Sequence, residues 1–134
     1  MAENLIGELM VCLDTSILID YLKGERGVVA LVASYSKEET LSTTVISEYE
    51  LLRHPDKLKR DLAQEFLATM KIYYFDREAA AESSRIYRNL KAEGNEVNEN
   101  DILIAGISLS NKELLITRDG DFKHIGETSR IRVL

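Results

Sequence analysis

With 134 residues, 45% hydrophobic and 30% charged, the chain has the size and balance of one soluble globular domain, and its apolar runs fall far short of a membrane span. The net charge of −6 argues against a broadly basic nucleic-acid-binding surface, though not against one cleft whose acids are reversed in sign by a divalent cation. A single cysteine, Cys12, excludes an internal disulfide, and with only two histidines, far apart in sequence, it excludes the usual closed zinc site.

Residues 1–9 are polar and precede Met10, so they read as an N-terminal extension to a single domain at 10–134. No basic stretch, long apolar core and small-residue cleavage site open the chain, which points to the cytoplasm. Residues 11–13 (VCL) form a short apolar strand, followed by a helix over 15–23 and, beyond Gly24, a second apolar pattern through Val28, Val29, Leu31 and Val32. Residues 41–43 read as a strand and 45–53 as a helix. Pro55 ends that helix, and another over 55–70 carries Leu58, Leu62, Phe66 and Leu67 as its apolar stripe. Residues 72–75, rich in β-formers, give a third strand, and 77–93 a helix closed by Gly94 and Asn95. A nearly all-apolar helix follows over 99–110, then strands at 114–117 and 131–134. Strands alternating with helices imply a three-layer α/β/α sandwich around a mostly parallel sheet of four to five strands. Sites in such sheets form beyond the carboxyl ends of the strands.

Four acids occupy that edge. Asp14 follows the first strand, where a carboxylate also serves as a helix N-cap. Glu48 lies one turn into the helix after the second strand. On a helical wheel it falls between Leu51 and Leu52, on a largely apolar arc, whereas Glu50 points away and reads as solvated. Asp101 opens the apolar helix, three positions after Asn98, where it also suits the helix N-terminus. Asp119 follows the strand LLIT in an Asp–Gly turn, with Asp121 as the alternative for the same role. Each residue has an ordinary structural use. Together they would gather like charges at one edge, an arrangement that protons or divalent cations must neutralise.

The stretches VCLDTSILIDYLKG, TTVISEYELL, NENDILIAGISLS and LLITRDGDF, in this order and spacing, resemble the PIN-domain ribonucleases, and within them the VapC-type toxins of toxin–antitoxin pairs. The resemblance runs from Met10 to the C-terminus. It implies that Asp14, Glu48, Asp101 and Asp119 are catalytic and bind Mg2+ or Mn2+, with Asp121 as the alternative fourth acid because TRDGDF looks one residue short. It implies that Ser16 and Thr117 support the site, that the protein is a homodimer, and that its partners are an RNA substrate and a cognate antitoxin. Arg118, beside the site, is the expected phosphate contact.

A metal-activated water would leave 5′-phosphate and 3′-hydroxyl ends, because the RNA 2′-hydroxyl is not needed as nucleophile. The alternative is a PIN-fold protein that binds RNA or a partner without cleaving. A phosphoacceptor receiver domain fits less well: the first strand ends in DTS without a paired acid. A dinucleotide-binding fold lacks its glycine-rich first turn.

Overall fold

The computed structural model describes residues 11–36 and 41–134, so the expected extension at 1–9 lies outside the described residues. Strand β1 (Val11–Leu13) is followed by helices α1 (Thr15–Leu22) and α2 (Arg26–Ser36). Strand β2 (Ser42–Thr44) leads into α3 (Val45–Leu52) and α4 (Lys57–Leu67). Strand β3 (Lys71–Tyr73) leads into α5 (Arg77–Glu93) and α6 (Glu99–Ser110). Strand β4 (Leu114–Thr117), a 3₁₀ turn (Gly120–Ile125) and strand β5 (Ile131–Val133) complete the chain.

The sheet has five strands in the order β3-β2-β1-β4-β5, every pair parallel. This is the expected α/β/α sandwich. Strand order reverses at β1, the central strand, so Asp14 emerges at the switch point. β1 is apolar at every position because both of its faces are covered. Val11 and Leu13 join Leu18, Val28, Val32, Leu51, Leu67 and Ile116 in one core layer, and Cys12 joins Ile86, Leu90, Ile104, Leu115 and Phe122 in the other. β2 is buried yet built of Ser42, Thr43 and Thr44. Its hydroxyls are satisfied by the neighbouring strand: Ser42 Oγ donates to Val11 O at 2.8 Å and Thr43 Oγ1 to Leu13 O at 2.6 Å.

Two expectations about α4 shift. The helix starts two residues later than the sequence suggests, because Asp56 caps it by accepting from Leu58 N at 2.9 Å. Its inward face is Ala63 and Leu67, with Phe66 stacked on Tyr21, whereas Leu58 and Leu62 are exposed. The 3₁₀ turn after β4 was not anticipated. It is pinned by Phe122, the fully buried side chain of the segment, with Ile125 packed against the same core layer. Burial of a phenylalanine contributes about 1.5–3 kcal/mol, enough to fix where Asp119 and Asp121 stand.

On the second face, α5 and α6 approach so closely that Gly106 is required. A Cβ built there would overlap Ser83 Oγ and lie 2.9 Å from the Ser83 backbone nitrogen. This contact packs the middle of α6 directly against α5.

Candidate active site

Asp14 caps α1, as its position after β1 suggests, and is 3% exposed. One oxygen, Oδ2, accepts from Thr117 Oγ1 at 2.6 Å and Ser16 Oγ at 2.9 Å. The two hydroxyls lie 3.2 Å apart. Each is fixed in turn by the turn after β4: Arg118 N donates to Ser16 Oγ at 2.9 Å and Asp119 N to Thr117 Oγ1 at 3.0 Å. Ser16 and Thr117 thus link Asp14 to the turn after β4, binding the ends of β1 and β4 into one unit. The other oxygen, Oδ1, is buried with no hydrogen-bond partner among the described residues. Burial pushes the Asp14 carboxyl above its ordinary range, against the pull of Thr117 and Ser16.

A second buried acid shows what a purely structural carboxylate looks like here. Glu113, ahead of β4 at the amino ends of the strands, has both oxygens engaged: Ser42 Oγ lies 3.2 Å from Oε1 and Tyr73 OH donates to Oε2 at 2.6 Å. Asp14 is half-satisfied. An unpaired buried carboxylate oxygen is costly, and a cation is the partner its chemistry calls for.

Asp101, in the first turn of α6, is pushed up to about 7, first by burial and then by the charges of Asp14, Asp119, Glu50 and Asp121. Acids from other elements of the fold thus converge on Asp101. Asp119 acts on Asp101 more strongly than Asp121 does; it is half-buried and caps the 3₁₀ turn by accepting from Asp121 N at 2.9 Å. Asp121 is exposed. Both thus lie within electrostatic reach of Asp101.

Glu48 needs correction. It lies in the first turn of α3, where its charge suits the helix N-terminus, and its side chain makes no hydrogen bond among the described residues. Glu50 is the α3 acid that the structure brings to the cluster: Thr15 Oγ1 donates to its Oε1 at 2.6 Å and Asn100 Nδ2 to its Oε2 at 3.0 Å. The apolar arc of α3 faces the core through Leu51, whereas the site faces an adjoining polar arc. Ser47 and Glu50, three apart on that arc, share Thr15, which lies 2.7 Å from Ser47 Oγ. That polar pair was the available signal; searching for a carboxylate on the apolar stripe missed it. Arg118 also differs from expectation. Its guanidinium is paired with Asp20 at 3.1 Å and Glu25 at 3.3 Å, so its charge is turned to α1.

Among the described residues no three His, Cys, Asp or Glu side chains form a ready-made metal cage. That is compatible with Mg2+ or Mn2+, which retain several waters and need few direct protein ligands. Asp14 through Oδ1, Asp101, Glu50 and Asp119 are the residues that could hold such an ion, directly or through water. The unpartnered Oδ1 and the raised proton affinity of Asp101 both fit a cation-binding role.

The PIN domain family model matches residues 11–128, and the chain belongs to that family. Solved structures of similar fold include toxin–antitoxin complexes. VapBC2 from Rickettsia felis, bound to a DNA fragment from its promoter, aligns with TM-score 0.80 at 19% identity, covering 94% of this chain and 98% of that one. VapBC from Salmonella typhimurium, bound to DNA, aligns with TM-score 0.75 at 21% identity, covering 94% and 97%. VapBC-5 from Mycobacterium tuberculosis, a member of the VapBC family of toxin–antitoxin systems, aligns with TM-score 0.68 at 26% identity, covering 93% and 97%. Curated protein sequences give no match. No helix among the described residues is long and apolar enough to cross a membrane.

Proposed function

We propose that this chain is a divalent-metal-dependent endoribonuclease and the toxin of a toxin–antitoxin pair, acting in the cytoplasm as a homodimer. The observation that carries the nuclease reading is the half-satisfied Asp14. Its Oδ2 is locked by Thr117 and Ser16, while its buried Oδ1 has no partner among the described residues, and its charge, with those of Asp119, Glu50 and Asp121, raises the proton affinity of Asp101. Membership of the PIN family and likeness to VapBC assemblies support the toxin reading and the antitoxin partner.

Bound Mg2+ or Mn2+ would lower the pKa of a coordinated water and neutralise charge on the scissile phosphate. The chain's own residues set up that chemistry. Thr117 and Ser16 orient Asp14, so little reorganisation is left for the moment of binding. Asp101 must release its proton to ligate a cation, which makes capture of the ion pH-dependent. Glu50 and Asp119 flank the same space and are suited to orient water for in-line attack on phosphorus. Arg118 is committed to Asp20 and Glu25 and serves the frame of the site rather than the phosphate.

The test is cleavage of single-stranded and structured RNAs by the pure protein with Mg2+, Mn2+ or EDTA. Cleavage should need the metal, fall to background in Asp14→Asn and drop at least a hundredfold in Glu50→Gln, while Glu48→Gln stays near wild type. Metal-independent cleavage, or loss of activity in Glu48→Gln with Glu50→Gln unaffected, would refute the assignment.

A further inference from the structure

Asn100 sits beside Asp101 in the first turn of α6, yet its side chain plays no part in capping that helix. Asn98 does so, accepting from Asn100 N at 2.8 Å. The Asn100 side-chain amide is therefore free to reach across to α3, where Nδ2 donates to Glu50 Oε2 at 3.0 Å. The other Glu50 oxygen is held by Thr15 Oγ1 from α1 at 2.6 Å. The Glu50 carboxylate is thus gripped from both sides by residues adjacent in sequence to Asp14 and Asp101.

We propose that Asn100 is a positioning residue: together with Thr15 it clamps the Glu50 carboxylate between the starts of α1 and α6, holding it towards Asp14 and Asp101 ready for a divalent cation. This rests on the metal-site reading above and adds a determinant of the site's metal affinity.

The choice of residue type follows from the electrostatics. Glu50, Asp101, Asp14 and Asp119 repel one another, and a long glutamate side chain relieves that repulsion by rotating out into water. A donor must hold it in. Lysine or arginine would neutralise the charge that the cation needs, and an acid would add to the repulsion. A neutral amide supplies a hydrogen bond and leaves the charge intact. Each carboxylate oxygen has more than one acceptor site, so an oxygen held by one donor still has capacity for a cation or its water. Groups that orient ligands in this way govern metal affinity by about 10- to 100-fold.

The experiment is Mn2+ titration by calorimetry at neutral pH on wild type, Asn100→Ala, Glu50→Gln and the double variant, beside the Mn2+ dependence of RNA cleavage. Asn100 is partly exposed in a helix first turn, so its removal should leave the metal-free melting temperature nearly unchanged. Asn100→Ser provides a second truncation that keeps a polar residue there. Both should weaken Mn2+ binding about tenfold and raise the Mn2+ concentration for half-maximal cleavage equally, with the rate recovering at saturating metal. In the Glu50→Gln background the Asn100→Ala change should have no further effect, as the two act as one unit. Mn2+ affinity within about twofold of wild type in both truncations, or an undiminished effect of Asn100→Ala without Glu50, overturns the clamp alone. Failure of wild type itself to bind Mn2+ overturns the metal-site reading and the clamp with it.

Discussion

Asp101→Asn should make the metal-free protein more stable at neutral pH. Asp101 titrates near 7 in the fold because it is partly buried and faces Asp14, Asp119 and Glu50, against 3.8 as a free side chain. Between these two values the native state keeps a proton that the unfolded chain has released, so stability falls as pH rises across that window and levels off above it. Three pH units correspond to about 4 kcal/mol at face value. The side chain is partly open to water, and screening reduces the penalty to about 1–2 kcal/mol. Asparagine gives up some helix-dipole stabilisation in the first turn of α6, about 0.5 kcal/mol, but removes the repulsion. Thermal melts in EDTA from about pH 4 to pH 8 should therefore show wild type losing stability towards neutrality and the variant keeping it. At about pH 7.5 the variant should melt a few degrees higher. Saturating Mn2+ should reverse the order, adding about 3 kcal/mol to wild type at ~100-fold excess over its Kd and little to the variant. A variant less stable than wild type in EDTA at neutral pH, or one that gains as much from Mn2+, would refute this account of the cluster.

Other perturbations test the frame around the site. Thr117→Val removes the 2.6 Å donor to Asp14 and the acceptor of Asp119 N, and should cost about 1–3 kcal/mol in urea denaturation at neutral pH; unchanged stability would show that the buried charge is held otherwise. Gly106→Ala places a methyl group against Ser83 and should cost at least about 1–3 kcal/mol, read as a lower melting temperature; a neutral result would mean that α5 moves aside freely. Cys12 is fully buried with its thiol pushed up to about 12, first by burial, so a disulfide reagent should leave the native protein unmodified and react after denaturation. Rapid native labelling would contradict the buried central strand.

Much of the fold was legible because periodicity and punctuation agree. VCL, buried on both faces, and the all-apolar ILIAGISL read as central elements, and Gly94, in the left-handed conformation, closes α5 where the pattern breaks. Asp14, Asp101 and Asp119 were legible because strand ends in a parallel sheet share an edge. Glu50 was not. A helix wheel separates apolar from polar arcs, but Glu50 lies on a polar arc that other elements shelter, and only the positions of α1 and α6 show which arc that is. Arg118 misled by proximity: its neighbours in space, Asp20 and Glu25, come from the far end of α1 and the turn after it. The inward face of α4 was read correctly at Phe66 and Leu67 but not at Leu58 and Leu62, which look like core residues until Ala63 is seen to take the contact.

The chemistry of the cut ends puts the central claim at greatest risk. RNA cleaved by the pure protein with Mn2+ should carry 5′-phosphates, labelled by kinase only after phosphatase treatment, and 3′-hydroxyls that accept a ligated adapter directly. Products ending in 2′,3′-cyclic phosphate would mean that the RNA's own hydroxyl attacks, and the acid cluster around Asp14 would not be the seat of catalysis.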